Sequence, residues 1–180
     1  MKKFLSTKNM VLIALFTALT CIVSPFSIPI PISPVPITLT NFILCLSLYI
    51  LGYKSALISC LIYVLLGVVG LPIFSGFQGG IGKLLGPTGG YILGYFFLVF
   101  IAGFISEKGK GKRLWYAIGM VIGTALLYAF GTIWLAKQLN MTFAAALAVG
   151  VIPYIIGDVV KMAICLIIAP EIKKRIRSEL

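Results

Sequence analysis

Apolar residues run in long blocks along this chain, with short polar or basic segments between them, and no helical or alternating pattern marks out a water-facing side. The blocks occupy about Met10 to Ile28, Leu39 to Leu51, Ala56 to Ile73, Gly90 to Ser106, Leu114 to Ala136 and Ile152 to Ala169. A hydrocarbon core about 30 Å thick needs about 20 helical residues, or fewer where helix ends are buried in protein. The pattern therefore predicts an all-α, polytopic membrane protein with six transmembrane helices, forming one membrane domain over residues 1–180. The second block is short for a crossing and is expected to start further back, toward Ile37 or Thr38. Met141 to Val149, small and apolar, suits a short interfacial helix, and Pro153 suits the first turn of the helix after it.

Composition agrees with this class. With 61% hydrophobic and 11% charged residues and a mean hydropathy of +1.13, the chain cannot wrap a polar surface around a soluble core. The net charge of +11 would fit nucleic acid only if the basic residues formed a face, and they do not. Lys2, Lys3, Lys8, Lys54, Lys108, Lys110, Lys112, Arg113, Lys173, Lys174, Arg175 and Arg177 flank the blocks on one side, against Lys83 and Lys137 on the other. This asymmetry predicts cytoplasmic termini and an even number of spans. The first block resembles a secretory signal, but no small-residue cleavage site follows it, so it is read as a retained span. Cys21, Cys45, Cys60 and Cys165 are dispersed without metal-ligand spacing and read as small buried apolar residues.

Asp158 and Lys161 are the only charges in the last block. A charge near a bilayer's centre costs about 2.5 to 3.5 kcal/mol on insertion scales, which makes the pair a candidate site. At i, i+3 they share one helix face, and placement near the start of that helix would aim them at an outward-opening pocket. The bland alternative is a self-neutralised pair that assists packing, although burial alone gives no stability reason to keep two charges.

The outer connections carry the unusual backbone. Pro25, Pro29, Pro31, Pro34 and Pro36, five of the nine prolines, stiffen the first of them into extended chain. Ten of the nineteen glycines fall between Gly67 and Gly94, around the segment Phe74-Ser-Gly-Phe-Gln-Gly-Gly-Ile-Gly-Lys-Leu-Leu-Gly-Pro-Thr-Gly-Gly-Tyr91. Glycine with interspersed Phe, Leu and Ile suits a compact lid dipping toward the helices, the alternative being a flexible loop. Gly82-Lys83 resembles the end of a P-loop, but Phe77 replaces the required glycine and Leu84 the Ser or Thr, so nucleotide binding is excluded there.

Catalysis has little support. The chain has no histidine, a single acidic residue lies within a span, and no serine is sequence-adjacent to Lys161. Binding or transport is favoured, with a small membrane enzyme using Asp158 and Lys161, or a structural membrane protein, as alternatives.

Four segments then carry a family resemblance: Val35-Pro-Ile-Thr-Leu39; Gly70-Leu-Pro-Ile-Phe; Gly79-Gly80 through Leu85-Gly86-Pro87-Thr88-Gly89-Gly90-Tyr91; and Gly150-Val-Ile-Pro-Tyr-Ile-Ile-Gly-Asp158-Val-Val-Lys161. In this order they resemble BioY, the biotin-specific substrate-binding component of energy-coupling factor (ECF) transporters. The resemblance implies a six-helix subunit of the bacterial cell membrane that holds biotin near the outer face. It also implies partnership with a transmembrane scaffold subunit and two cytoplasmic ATPases, with no cofactor of its own. A component for another vitamin is the alternative within this class.

For biotin, Asp158 would accept a ureido N–H, while Lys161 or Gln78 serves the carbonyl or stabilises the Asp158 charge. Phe74, Phe77 and Tyr91 are candidate apolar walls, and the carboxylate has Lys161, Lys83 or solvent as candidate partners. Ala14 and Ala18 form a small-xxx-small pattern, associated in this family with scaffold docking. Gly119 and Gly123 form a similar pattern assigned to internal packing.

Overall fold

The computed structural model describes residues 6–109 and 112–178, with side chains through residue 176. Lys2, Lys3, Lys110 and the Arg177 side chain, counted in the charge asymmetry, lie outside the described residues. Each of the six apolar blocks forms a helix. These are α1 (Thr7–Val23), α2 (Thr40–Leu51), α3 (Tyr53–Val69), α5 (Gly89–Lys108), α6 (Arg113–Gln138) and α8 (Ile155–Ser178). Between them lie strands β1 (Ile28–Ile30) and β2 (Ser33–Ile37) and the short helices α4 (Ile81–Leu85) and α7 (Phe143–Gly150), with a 3-10 turn at Ile152–Tyr154.

Among the described residues, Gly89–Lys108, Arg113–Gln138 and the run Phe143–Ile176 are long and apolar enough to cross a membrane, and α1, α2 and α3 are shorter apolar helices. Large apolar side chains such as Leu15, Ile22, Leu65, Phe97, Val121, Ile156 and Ile167 stand exposed around the bundle. A lipid surface accommodates such a girdle and water does not, so this is a membrane protein.

α1 starts at Ser6, whose hydroxyl accepts from the Asn9 amide at 3.3 Å and so satisfies one of the free N–H groups of the first turn. Its inward face, Ile13, Phe16, Thr17 and Thr20, repeats every three or four residues. Thr17 Oγ1 donates to Ser59 Oγ at 2.9 Å, and Asn9 Nδ2 to Ser55 Oγ at 3.0 Å, a polar seam fixing the register of α1 against α3. Ala14 and Ala18 stand exposed on the opposite face.

α2 is short because it is interior. Residues Ile43 through Tyr49 are all buried, as a helix apolar on every side requires. It begins at Thr40, and the expected backward extension toward Thr38 is non-helical chain leading from the hairpin.

α5 and α6 form a close antiparallel pair. Cβ atoms at Gly119 and Gly123 would stand 2.6 Å from the Ala102 carbonyl oxygen and 2.8 Å from that of Leu98. Glycine alone lets these backbones touch, and the expected internal packing of the two glycines is observed.

The proline-rich connection is a two-stranded antiparallel hairpin pairing Ile28 with Ile37 and Ile30 with Ser33. Proline is tolerated because both strands are edges. The glycine-rich connection is compact: Phe74 and Gln78 exchange backbone hydrogen bonds of 2.8 and 3.3 Å, and the Gly80 amide donates to the Gly67 carbonyl at 2.7 Å.

α8 departs from expectation at its end. The apolar block stops at Ala169, whereas the helix continues through Pro170 to Ser178. Pro170 offers no N–H to the Leu166 carbonyl. Lys173 holds the extension by donating to the Tyr49 carbonyl at 2.7 Å, one of the free acceptors of the last turn of α2.

Candidate functional site

α8 is mostly lipid-exposed and buries only a stripe at Asp158, Cys165 and Ala169, with Lys161 and Met162 half-buried on it. The charges therefore sit on the one face of the helix that meets protein. Asp158 is 7% exposed, and Lys161 Nζ lies 2.8 Å from its Oδ1. Its Oδ2 accepts from the Tyr128 hydroxyl of α6 at 2.5 Å. A carboxylate offers about four acceptor sites, and two are taken.

Lys161 has less to spare. Besides Asp158, its ammonium donates to the Thr38 carbonyl at 2.7 Å and, more weakly, to Asn41 Oδ1 at 3.5 Å. An ammonium has three protons, all directed at protein. Lys161 thus anchors α8 to the start of α2 and stabilises the Asp158 charge, leaving the carboxylate as the open member of the pair.

The pair faces a cavity at the end of the bundle that carries the hairpin and α7, opposite Lys8, Lys54 and Lys173. Tyr63, Tyr91, Ile92, Tyr95 and Leu127 supply its apolar walls, and Val35 and Pro36 of β2 close one side. The Tyr154 hydroxyl donates to the Val35 carbonyl and ties the hairpin to the turn before α8. α7 closes on the Tyr91 ring because residue 150 is glycine; a Cβ there would stand 2.2 Å from the Tyr91 hydroxyl. That hydroxyl and Thr132 Oγ1 are both buried, each with the other as its polar neighbour.

Measured as the space open to the centre of a water, this cavity is about 70 Å3. At about 10 to 15 Å3 per water on that measure, it has room for several waters or a compact ring system. A second, wider cavity of about 470 Å3 adjoins it across Thr88, between Pro34, Gln78, Lys83 and Pro87.

Of the residues expected from sequence, Asp158, Lys161 and Tyr91 meet in the inner cavity, and Gln78 borders the outer one. Phe74 and Phe77 line neither cavity. Phe74 is fully buried, edge-on to Tyr63 at 5.6 Å and filling the slot at Gly67. Phe77 is 58% exposed and packs on Phe26. Tyr128, Thr38, Asn41, Tyr95 and Tyr154 were not singled out from sequence. Position was a signal for Thr38 and Tyr154 alone, which lie in segments that carry the resemblance.

Comparison with known proteins bears on what this arrangement holds. The probable biotin transporter BioY of Pyrococcus horikoshii is 40% identical over 169 residues, covering 94% of this chain and 98% of that one. The biotin transporter BioY of Thermotoga maritima is 38% identical over 167 residues, covering 93% and 96%. A crystal structure of the S-component for biotin from an ECF-type ABC transporter superposes with a TM-score of 0.86 at 31% identity, over 93% of this chain and 91% of that one. The profile of the BioY family matches residues 1–178, and with near-complete relatives on both sides of that match, the chain belongs to the BioY family.

Proposed function

We propose that this chain captures biotin from outside the cell and delivers it as the substrate-binding subunit of an ATP-driven ECF importer. The observation that carries this reading is the Asp158 carboxylate, which keeps acceptor capacity toward a cavity instead of being sealed by its partner. A ureido N–H donates to Asp158, and the fused rings lie against Tyr91, Tyr95 and Ile92. The Tyr91 hydroxyl, beside Thr132 Oγ1, adds a polar atom to that wall. Relatives that carry the name biotin transporter, and a close structural match to an S-component for biotin, support the choice of ligand.

In this reading α1, α2, α3, α5, α6 and α8 are six spans of a bacterial cell membrane, both termini are cytoplasmic, and residues 1–180 act as one membrane domain. The hairpin and α7 then lie outside, with the cavity. The chain carries no enzymatic role and no cofactor; ATP hydrolysis belongs to two cytoplasmic ATPases joined through a transmembrane scaffold. Ala14 and Ala18, exposed on α1, form the scaffold-docking face.

A thermal-shift screen of the purified protein against biotin and other vitamins tests the ligand, because a binder stabilises the folded state in proportion to the logarithm of its excess over Kd. Biotin alone should raise Tm; stabilisation by a different vitamin instead would reassign the substrate. Asp158→Asn should weaken biotin binding by about tenfold to a hundredfold, the worth of a charge-assisted acceptor. Its single amide oxygen must serve Tyr128, Lys161 and ligand together. Wild-type affinity in calorimetry would remove Asp158 from the site.

A further inference from the structure

Resting on the reading of the chain as a biotin-binding subunit, we infer that the outer cavity is a carboxylate vestibule in which Lys83 receives the acid end of the ligand's tail. The inner cavity is the tighter of the two, at about 70 Å3 against about 470 Å3 on the same measure. A guest seated on Asp158 with a flexible tail has the wider space beside it. Thr88 borders both cavities, and the hairpin flanks both through Pro34 on one side and Val35 and Pro36 on the other. A tail passing Thr88 enters the wider space of about 470 Å3 where Lys83 stands.

Lysine and charge distribution point to the same place. The ammonium of Lys161 is committed to Asp158, Thr38 and Asn41, so it has no proton left for a carboxylate. Lys83 is half-buried, and its ammonium makes no hydrogen bond or ion pair among the described residues. The other lining residues of the vestibule, Pro34, Gln78, Gly79, Gly82, Gly86, Pro87 and Thr88, include no acid to neutralise it. Burial alone pushes the Lys83 pKa below the usual lysine range, as expected of a cation lacking its counter-ion. Gln78, beside it, adds an amide N–H donor for the second carboxylate oxygen.

The test uses the full chain and two ligands, biotin and biotinol, in which an alcohol replaces the carboxylate. Calorimetry on the wild type should show biotin bound about tenfold or more tightly than biotinol, the worth of a charge-assisted contact. Lys83→Gln should remove that preference while leaving biotinol affinity within about twofold, and Lys83→Arg should keep most of it. Unchanged biotinol binding also certifies that the variant is folded. The preference should fade as pH rises and Lys83 loses its proton, since only the ammonium attracts the carboxylate. Equal wild-type affinities, or a Lys83→Gln variant that keeps the wild-type ratio, would overturn the vestibule while leaving the ring site standing. A wild type that binds neither ligand would instead overturn the functional reading itself, and the vestibule with it.

Discussion

Tyr128 shows what a single residue adds to the pair. Its hydroxyl fixes one oxygen of Asp158 from across the bundle, so the carboxylate cannot rotate away to satisfy Lys161 with both. Tyr128→Phe should leave the fold intact and weaken biotin binding by about tenfold, the usual worth of one hydrogen bond to a charged group. Unaltered calorimetric affinity would reduce Tyr128 to packing. Asp158 and Lys161 were legible in the sequence because charge within an apolar block is costly and seldom idle. Tyr128 was not, since a tyrosine among apolar residues carries no such mark and its partner lies 30 residues away. The place of Phe74 was hidden as well. An aromatic in a glycine-rich loop suggests a ligand wall, but only the backbone pairing of Phe74 with Gln78 and the slot at Gly67 reveal that the ring turns inward as a plug.

At the scale of elements, the α5–α6 seam rests on direct contact between backbones. A methyl at residue 119 meets backbone, 2.6 Å from the Ala102 carbonyl oxygen, and cannot be relieved by a rotamer change. Gly119→Ala should therefore cost about 1 to 3 kcal/mol of stability, as overpacking does, read as a lower Tm in detergent. Biotin affinity should stay within about twofold because the seam at residue 119 lies at the far end of α6 from the cavity. A Tm equal to wild type would show that the helices separate without penalty. The helices themselves and α7 could be read from uninterrupted apolar blocks. The β1–β2 pairing could not: proline forecasts extended chain, but the match of Ile28 to Ile37 depends on a turn that composition does not specify. Nor could the passage of α8 through Pro170, which a tertiary contact from Lys173 to α2 sustains.

For the whole molecule, substrate capture and partner docking fall on separate surfaces. The exposed Ala14 and Ala18 belong to α1, which contributes nothing to the lining of either outer cavity. Replacing both with Trp should abolish copurification with a scaffold subunit and leave biotin calorimetry unchanged; a complex that survives would place docking elsewhere. How motion at one surface reaches the other follows from two lysines on α8. Lys161 grips the Thr38 carbonyl ahead of α2, and Lys173 grips the Tyr49 carbonyl near its end. At 1.5 Å per residue these rungs are about 18 Å apart on α8, close to the length of α2 itself. Joined top and bottom like the rails of a ladder, the two helices resist sliding past one another. A push on the basic tail thus moves the Asp158 carboxylate and the start of α2 as one body, and release of cargo must come from the tyrosine walls on α3, α5 and α6 that stay behind.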